Sequence, residues 1–245
     1  MKLISFRVSG AFAAFRDPSV TSNQTVYYIP SKSAVVGMLG AMIGIKRSNN
    51  LGEIYGEEFQ EFFKNTKIGM QFESIPKKIT FFTNHRSLKE PKTKPFKTEV
   101  VENPRYTIYV NTDDENFKKL SIALKKNEFV YSPYLGHAYC QAAVFDFKEI
   151  ESTETDSVSE KTKCVVLDES ETYNQDFKLM LRQSSPKGSI IIERHIHHFF
   201  DEGEFNGRVL KHWIPVNNSE FKIKIDSARG LSKFYKIRDH VVCMY

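Results

Sequence analysis

The chain has 245 residues, a mass of 28.4 kDa and a formal net charge of +5, with 40% hydrophobic and 27% charged residues. At about 150 residues per domain this makes one large domain or two small ones, and the balance excludes wholesale disorder. Three widely spaced cysteines, Cys140, Cys164 and Cys243, with no CxxC pair, exclude a disulfide framework and a Cys-rich zinc site and point to a reducing cytoplasm.

Lys2 to Ser9 alternates and is rich in Ile, Phe and Val, which predicts a strand. Arg7 interrupts this apolar stretch, so a secretory signal is not expected. A long connection, Gly10 to Pro30, leads to a helix predicted over Ser33 to Arg47, with Ser31 or Ser33 as N-cap. Its apolar run, Ala34 to Ile45, is 12 residues long, short of the ~17–25 of a membrane span. Gly37, Gly40 and Gly44 share one face, and the cost of helix-interior glycine suggests a second backbone packed close there. Tyr55 to Asn65 reads as a short acidic helix. Lys67 to Ile75, Lys78 to His85 and Arg105 to Asn111 read as strands, with a projecting loop over Arg86 to Lys97. Together they suggest a long β-hairpin with a basic tip. Asp114 to Lys126 is an amphipathic helix with Phe117, Leu120 and Leu124 as its buried stripe and charges ordered along the helix dipole. Ser132 to Gly136 is a turn, and Ala142 to Ile150 a strand.

The order strand, helix, strand, strand, helix, strand defines an α+β class with a ferredoxin-like (RRM-type) unit over residues 1–150. Glu151 to Glu160 holds four acids and no base and reads as a solvated linker. Short strands over residues 163–245 suggest a small β-rich C-terminal domain.

The charge is localised. Between Lys77 and Arg105 lie eight basic residues (Lys77, Lys78, Arg86, Lys89, Lys92, Lys94, Lys97 and Arg105) against Glu90, Glu99 and Glu102, so this segment alone carries +5. A cationic arm suits a polyanion; a solvated loop is the alternative reading. At the helix entrance, Ser31, Lys32 and Ser33 place two hydroxyls and an ammonium where a phosphate could sit. The preceding loop adds Arg16, Tyr27 and Tyr28, a mix suited to single-stranded RNA. No RNP1 aromatic octet occurs, so RNA need not use the usual sheet face. Gly136 and His137 form either a phosphate-contacting loop or a tight turn. His195 and His197 alternate on a strand, but no third metal ligand is apparent, and no metal or cofactor is expected. His85, His137 and Tyr28 are candidates for metal-independent acid–base cleavage of RNA. No G-x-S-x-G, P-loop or GxGxxG pattern is present.

Two stretches, Gly10-Ala11-Phe12-Ala13-Ala14-Phe15-Arg16-Asp17-Pro18 and Tyr27-Tyr28-Ile29-Pro30-Ser31-Lys32-Ser33-Ala34-Val35-Val36-Gly37-Met38-Leu39-Gly40, followed by Gly44, strongly resemble the N-terminal signature of CRISPR-associated (Cas) protein family 5, closest to its type I-B branch. Tyr134-Leu135-Gly136-His137 resembles the family's later glycine loop. The resemblance implies a RAMP-superfamily protein that caps the 5′ handle of the CRISPR RNA in a Cascade surveillance complex. Its partners would be the family 7 backbone subunit and the family 8 large subunit, with target DNA met only through the complex. It further implies a thumb hairpin, placed here at about residues 77–105, that kinks the RNA. The handle site would comprise Arg16, Tyr28, Ser31, Lys32, Ser33, Gly136 and His137, with Lys77, Lys78, Arg86, Lys89, Lys92 and Lys94 on the thumb. The expected role is a non-catalytic, cytoplasmic, membrane-free binding subunit; the alternative is a repeat endoribonuclease like that of the type I-C branch.

Overall fold

The computed structural model describes every residue except 21–22, 49–51, 87–91, 156–157, 170–179, 184–188, 202–203, 218, 226–230 and 239. The chain is α+β and strand-rich. In order, the first part contains β1 (Lys2–Ser9), β2 (Phe12–Ala13), β3 (Phe15–Arg16), β4 (Val26–Tyr27), α1 (Lys32–Ile43), α2 (Glu57–Asn65), β5 (Lys67–Phe72), β6 (Lys78–Arg86), β7 (Thr93–Glu102), β8 (Arg105–Asn111), α3 (Asp114–Lys126) and β9 (Ala143–Glu151). The second part contains β10 (Thr153–Thr155), β11 (Val158–Thr162), β12 (Val166–Asp168), β13 (Met180–Gln183), β14 (Ser189–Asp201), β15 (Glu204–Val216), β16 (Phe221–Ile225), β17 (Lys233–Ile237) and β18 (His240–Met244).

The central sheet has the order β5-β8-β1-β9, all neighbours antiparallel. Register explains its core. Ile4, Phe6 and Val8 lie opposite Val110, Ile108 and Tyr106, which in turn lie opposite Ile68, Met70 and Phe72. All nine are fully or almost fully buried, and each such side chain contributes about 1.5–3 kcal/mol. The period-2 alternation puts Ser5, Arg7, Gln71 and Thr107 on the other face. Arg7 there pairs with Glu73 and Asp146, each at 3.4 Å.

The helices cover the apolar side through Val35, Val36, Leu39 and Met42 of α1, Phe59, Phe62 and Phe63 of α2, and Leu120 and Leu124 of α3. α1 ends at Ile43, before its apolar run does, because Gly44 turns left-handed, at φ +83°. The Ile45 N–H then donates to the Gly40 carbonyl, a Schellman-type ending. A second backbone does reach the end of α1, where the Val130 and Tyr131 N–H groups donate to the Met42 and Ala41 carbonyls at 3.0 and 3.3 Å, but the nearest atoms to the three glycines are not backbone. Gly44 serves the cap, Gly40 faces the Phe62 ring, and a Cβ on Gly37 would meet nothing within 4 Å. In α3 the Asp113 carboxylate caps the Asn116 N–H at 3.0 Å, acids lead and lysines trail, as the dipole favours.

The second part is woven onto the first. Tyr245 exchanges two backbone hydrogen bonds of 3.0 Å with Ile68, prolonging the sheet past β5. Glycine is required at position 69, where a Cβ would lie 2.8 Å from the Cys243 carbonyl oxygen. Leu3 and Tyr109 share a second core with Cys164, Tyr235, Val242 and Met244. The acidic stretch 151–160 is not a solvated linker. Its described residues include the end of β9, all of β10 and the start of β11, and β10 and β11 pair with β17 and β16. Glu154 meets Lys233 at 2.8 Å and Glu160 meets Lys236 at 2.6 Å. These acids match lysines near the end of the chain, a pairing invisible in local composition. Among the described residues, no helix is long and apolar enough to cross a membrane.

Candidate functional site

The two glycine-bearing segments of the sequence meet. The Ala14 N–H donates to the Leu135 carbonyl at 2.9 Å. Gly136, at φ +86°, lies so close to the Ala14 backbone that no Cβ fits, and a Cβ on Gly10 would lie 2.7 Å from the Gln141 carbonyl oxygen. The turn 132–141 is thereby clamped to the loop after β1. His137, exposed, stacks on the exposed Tyr139 ring at 4.5 Å.

Beside it, one carboxylate joins three elements. Glu193 of β14 accepts the Tyr28 N–H at 3.0 Å, contacts His195 Nε2 at 3.0 Å and pairs with Lys78 Nζ at 3.8 Å. Lys78 also reaches Glu99 at 3.7 Å, donates to the Val26 carbonyl at 2.5 Å and sits 4.3 Å over the Tyr28 ring. Glu99 in turn accepts the Val26 N–H at 3.1 Å. Tyr28 is further fixed by the Tyr106 hydroxyl, which donates to its carbonyl at 2.6 Å. Burial and then the Glu193 and Glu99 charges raise the Tyr28 phenol above its ordinary pKa. Its neighbour Tyr27 stacks on His195 at 3.8 Å and donates to Asp17 at 2.8 Å. Burial pushes the Asp17 carboxyl up, but its hydrogen bonds from Ser19 and Tyr27 together outweigh that and hold it below the usual carboxylate range.

At the entrance to α1, Ser31 caps the Ala34 N–H at 3.3 Å and its hydroxyl lies 2.9 Å from that of Ser33. The Ser31 hydroxyl serves the helix end, and that of Ser33 is hydrogen-bonded to it. Lys32 lies 5.0 Å from the Phe63 ring centre, and burial, reinforced by Lys67, pulls its amine down to about 8. Arg16 is exposed on β3.

β6 and β7 form a hairpin in register from Lys78↔Val101 to Arg86↔Thr93. The strand β7 thus takes in much of the segment expected as loop. At its base Lys77 pairs with Glu102 at 2.5 Å and Lys78 with Glu99, so the two cations nearest the body are neutralised. Farther out, Arg86, Lys92, Lys94 and Lys97 are exposed, as is Phe82 at 72%. Lys89 lies outside the described residues. His85 is on β6, opposite Lys94, and its side chain is not among those described.

His195 and His197 do share a side of β14, and both are buried together with His212 of β15. Burial, then the charges of Lys32, His198 and His195, holds His197 down to about 3; burial, then His195 and His197, holds His212 well below its ordinary value. Among the described residues no group of three or more His, Cys, Asp or Glu is placed to hold a metal ion. Tyr28 and His137 do not hydrogen-bond or stack with one another: one sits under Lys78, the other on Tyr139.

Sequence reasoning missed Glu193, Phe82 and Tyr131, and named Glu99 and Tyr134 without giving either a role of its own. Phe82 had a signal, an aromatic residue in the strand leading to the basic tip. Glu193 had none, being an ordinary acid 165 residues from Tyr28.

The fold is that of known CRISPR proteins. A CRISPR protein from Archaeoglobus fulgidus superposes with a TM-score of 0.58 over 99% of each chain at 14% identity. A chain of a CRISPR RNA-guided surveillance complex superposes with a TM-score of 0.50, covering 92% of this chain and 91% of that one at 12% identity. No curated protein matches. The family model described as CRISPR-associated protein (Cas_Cas5) matches residues 3–208, and the chain belongs to that family.

Proposed function

We propose that this chain is the non-catalytic subunit that grips the 5′ handle of the CRISPR RNA in a type I, I-B-like, Cascade surveillance complex. The observation that carries the reading is the charge sorting along the β6–β7 hairpin. Its basal lysines are engaged by Glu99, Glu102 and Glu193, while Arg86, Lys94 and Lys97 stand exposed farther out, Lys97 opposite the exposed Phe82. A wedge of this kind needs a rigid root and a cationic, aromatic outer part. The order β5-β8-β1-β9, with α1 and α3 in the crossovers, supports reading residues 1–150 as a ferredoxin-like, RRM-type RAMP unit, with the hairpin as its thumb at about 77–105 and residues 163–245 as the smaller β-rich part. The handle runs past Arg16, Lys32 and the Gly136-His137 turn. Its neighbours in the cytoplasm are the family 7 backbone subunit and the family 8 large subunit, and target DNA is met through them.

The test mixes purified protein with labelled repeat RNA of its own CRISPR locus in EDTA, resolved on native and denaturing gels. A shifted, intact RNA is expected. A discrete cut at the handle boundary would instead establish the metal-independent endoribonuclease reading and make His85, His137 and Tyr28 the first residues to replace. An RNA neither shifted nor cut would overturn both.

A further inference from the structure

Between the outer face of α1 and the segment Tyr131–Gly136 runs a groove of about 560 Å³, within the ~300–1,000 Å³ of small-molecule-sized sites. Gly37 and Ala41 of α1 line it, faced by Tyr131 and Tyr134, with Tyr55, Lys46 and Arg47 beside them. Among the described residues no aspartate or glutamate lines it.

The groove has a feature that the fold does not require. Glycine in a helix interior costs about 1 kcal/mol relative to alanine, and glycine is normally kept where a neighbour leaves no room for a Cβ. At Gly37 there is room, since nothing lies within 4 Å of the Cβ position. The residue leaves space for something outside the chain. The opposite wall presents two large rings to solvent, Tyr131 at 60% and Tyr134 at 49% exposure. The Arg47 guanidinium lies 4.8 Å over the Tyr55 ring and adds a flat cationic surface. Exposed rings, cations and no acid suit a stacked base with its phosphate. The groove is also rigidly tied to the glycine clamp, because Gly136 both lines it and abuts the Ala14 backbone.

We infer that this groove is a subsite for one unstacked nucleobase and adjoining phosphate of the bound RNA, seated over Gly37 between α1 and Tyr134. The inference rests on the RNA-binding reading and adds a place where a single base is taken out of the strand.

The test places 2-aminopurine at successive positions of the repeat-RNA handle and follows its fluorescence with the full-length protein. Quenching on binding is expected at one position. Gly37→Leu, which fills the groove from its open side, and Tyr134→Ala should each abolish that quenching and weaken binding by about ten-fold, the scale of one base no longer stacked. Gly37→Leu should melt no lower than the wild type, and Tyr134→Ala reads the same site should that variant fail to fold. Wild-type affinity and quenching in both variants would overturn the subsite while leaving RNA binding intact. So would unchanged RNA affinity with impaired binding of the neighbouring Cas subunits, which would make the groove a protein-docking surface. A wild type that binds no RNA would overturn both readings together.

Discussion

Glu193 shows how much one side chain can organise. Its carboxylate meets the Tyr28 N–H, His195 and Lys78, and so joins the loop before α1, the β6–β7 hairpin and β14. It is about 10% exposed, so removing it leaves a poorly solvated ammonium and an unmet N–H. Glu193→Ala should cost about 2–4 kcal/mol by urea denaturation, whereas Lys77→Ala at the exposed Glu102 pair should cost no more than ~1 kcal/mol. Similar losses in both would mean that Glu193 is not such a joint. Lys32 confers a pH dependence. Its amine is held down to about 8 by burial and Lys67, and a phosphate beside it would favour the charged form. RNA affinity should therefore be full below about 8 and fall as pH rises through that value, a step missing in Lys32→Met. An identical profile in that variant would remove Lys32 from the handle site.

At the scale of elements, the hairpin divides into a neutralised root and a cationic outer part. Arg86→Gln, Lys94→Gln and Lys97→Gln combined should leave stability within about 0.5 kcal/mol, because the side chains are exposed. They should flatten the dependence of log affinity on log salt by about 0.7 for each phosphate the chain no longer neutralises. Phe82→Ala should weaken binding without changing that slope. A triple variant with the wild-type salt slope would show that RNA does not follow the hairpin. The turn 132–141 works differently. Gly136 is fixed against Ala14, and the exposed His137 and Tyr139 rings stack on each other.

At the scale of the molecule, the buried histidines set a limit in acid. His197, held to about 3 against an ordinary 6.5, and His212, also depressed, stay neutral in the folded chain. Above about 6.5 both states are neutral and no difference arises. Below it the unfolded chain takes up protons that the folded chain refuses, so stability falls as pH drops toward about 3. Denaturation midpoints measured downward from pH 7 should show that loss, and His197→Phe should reduce it. An unaltered acid profile in that variant would assign the loss to other groups. The same histidines lie between β14, β15 and Tyr245, next to the backbone bonds that join Tyr245 to Ile68. The acid-sensitive core is thus where the second part of the chain meets the first.

The local signals were strong where a single element contains its own reason. The alternation of Lys2–Ser9, the capped amphipathic pattern of α3 and the charge run after Lys77 each specify a strand, a helix and a cationic arm from neighbours a few residues apart. Gly10 and Gly136 were likewise readable, since close backbone packing demands glycine and leaves it written in the chain. What tertiary structure alone decided was pairing across long separations. That Glu154 and Glu160 meet the lysines of β17, that His195 and His197 pack against Tyr27 and Tyr245, and that Lys78 pairs with Glu193 all depend on partners tens to hundreds of residues away. Composition and periodicity specify how each segment satisfies its own backbone; only the folded chain determines which charges are left for a ligand.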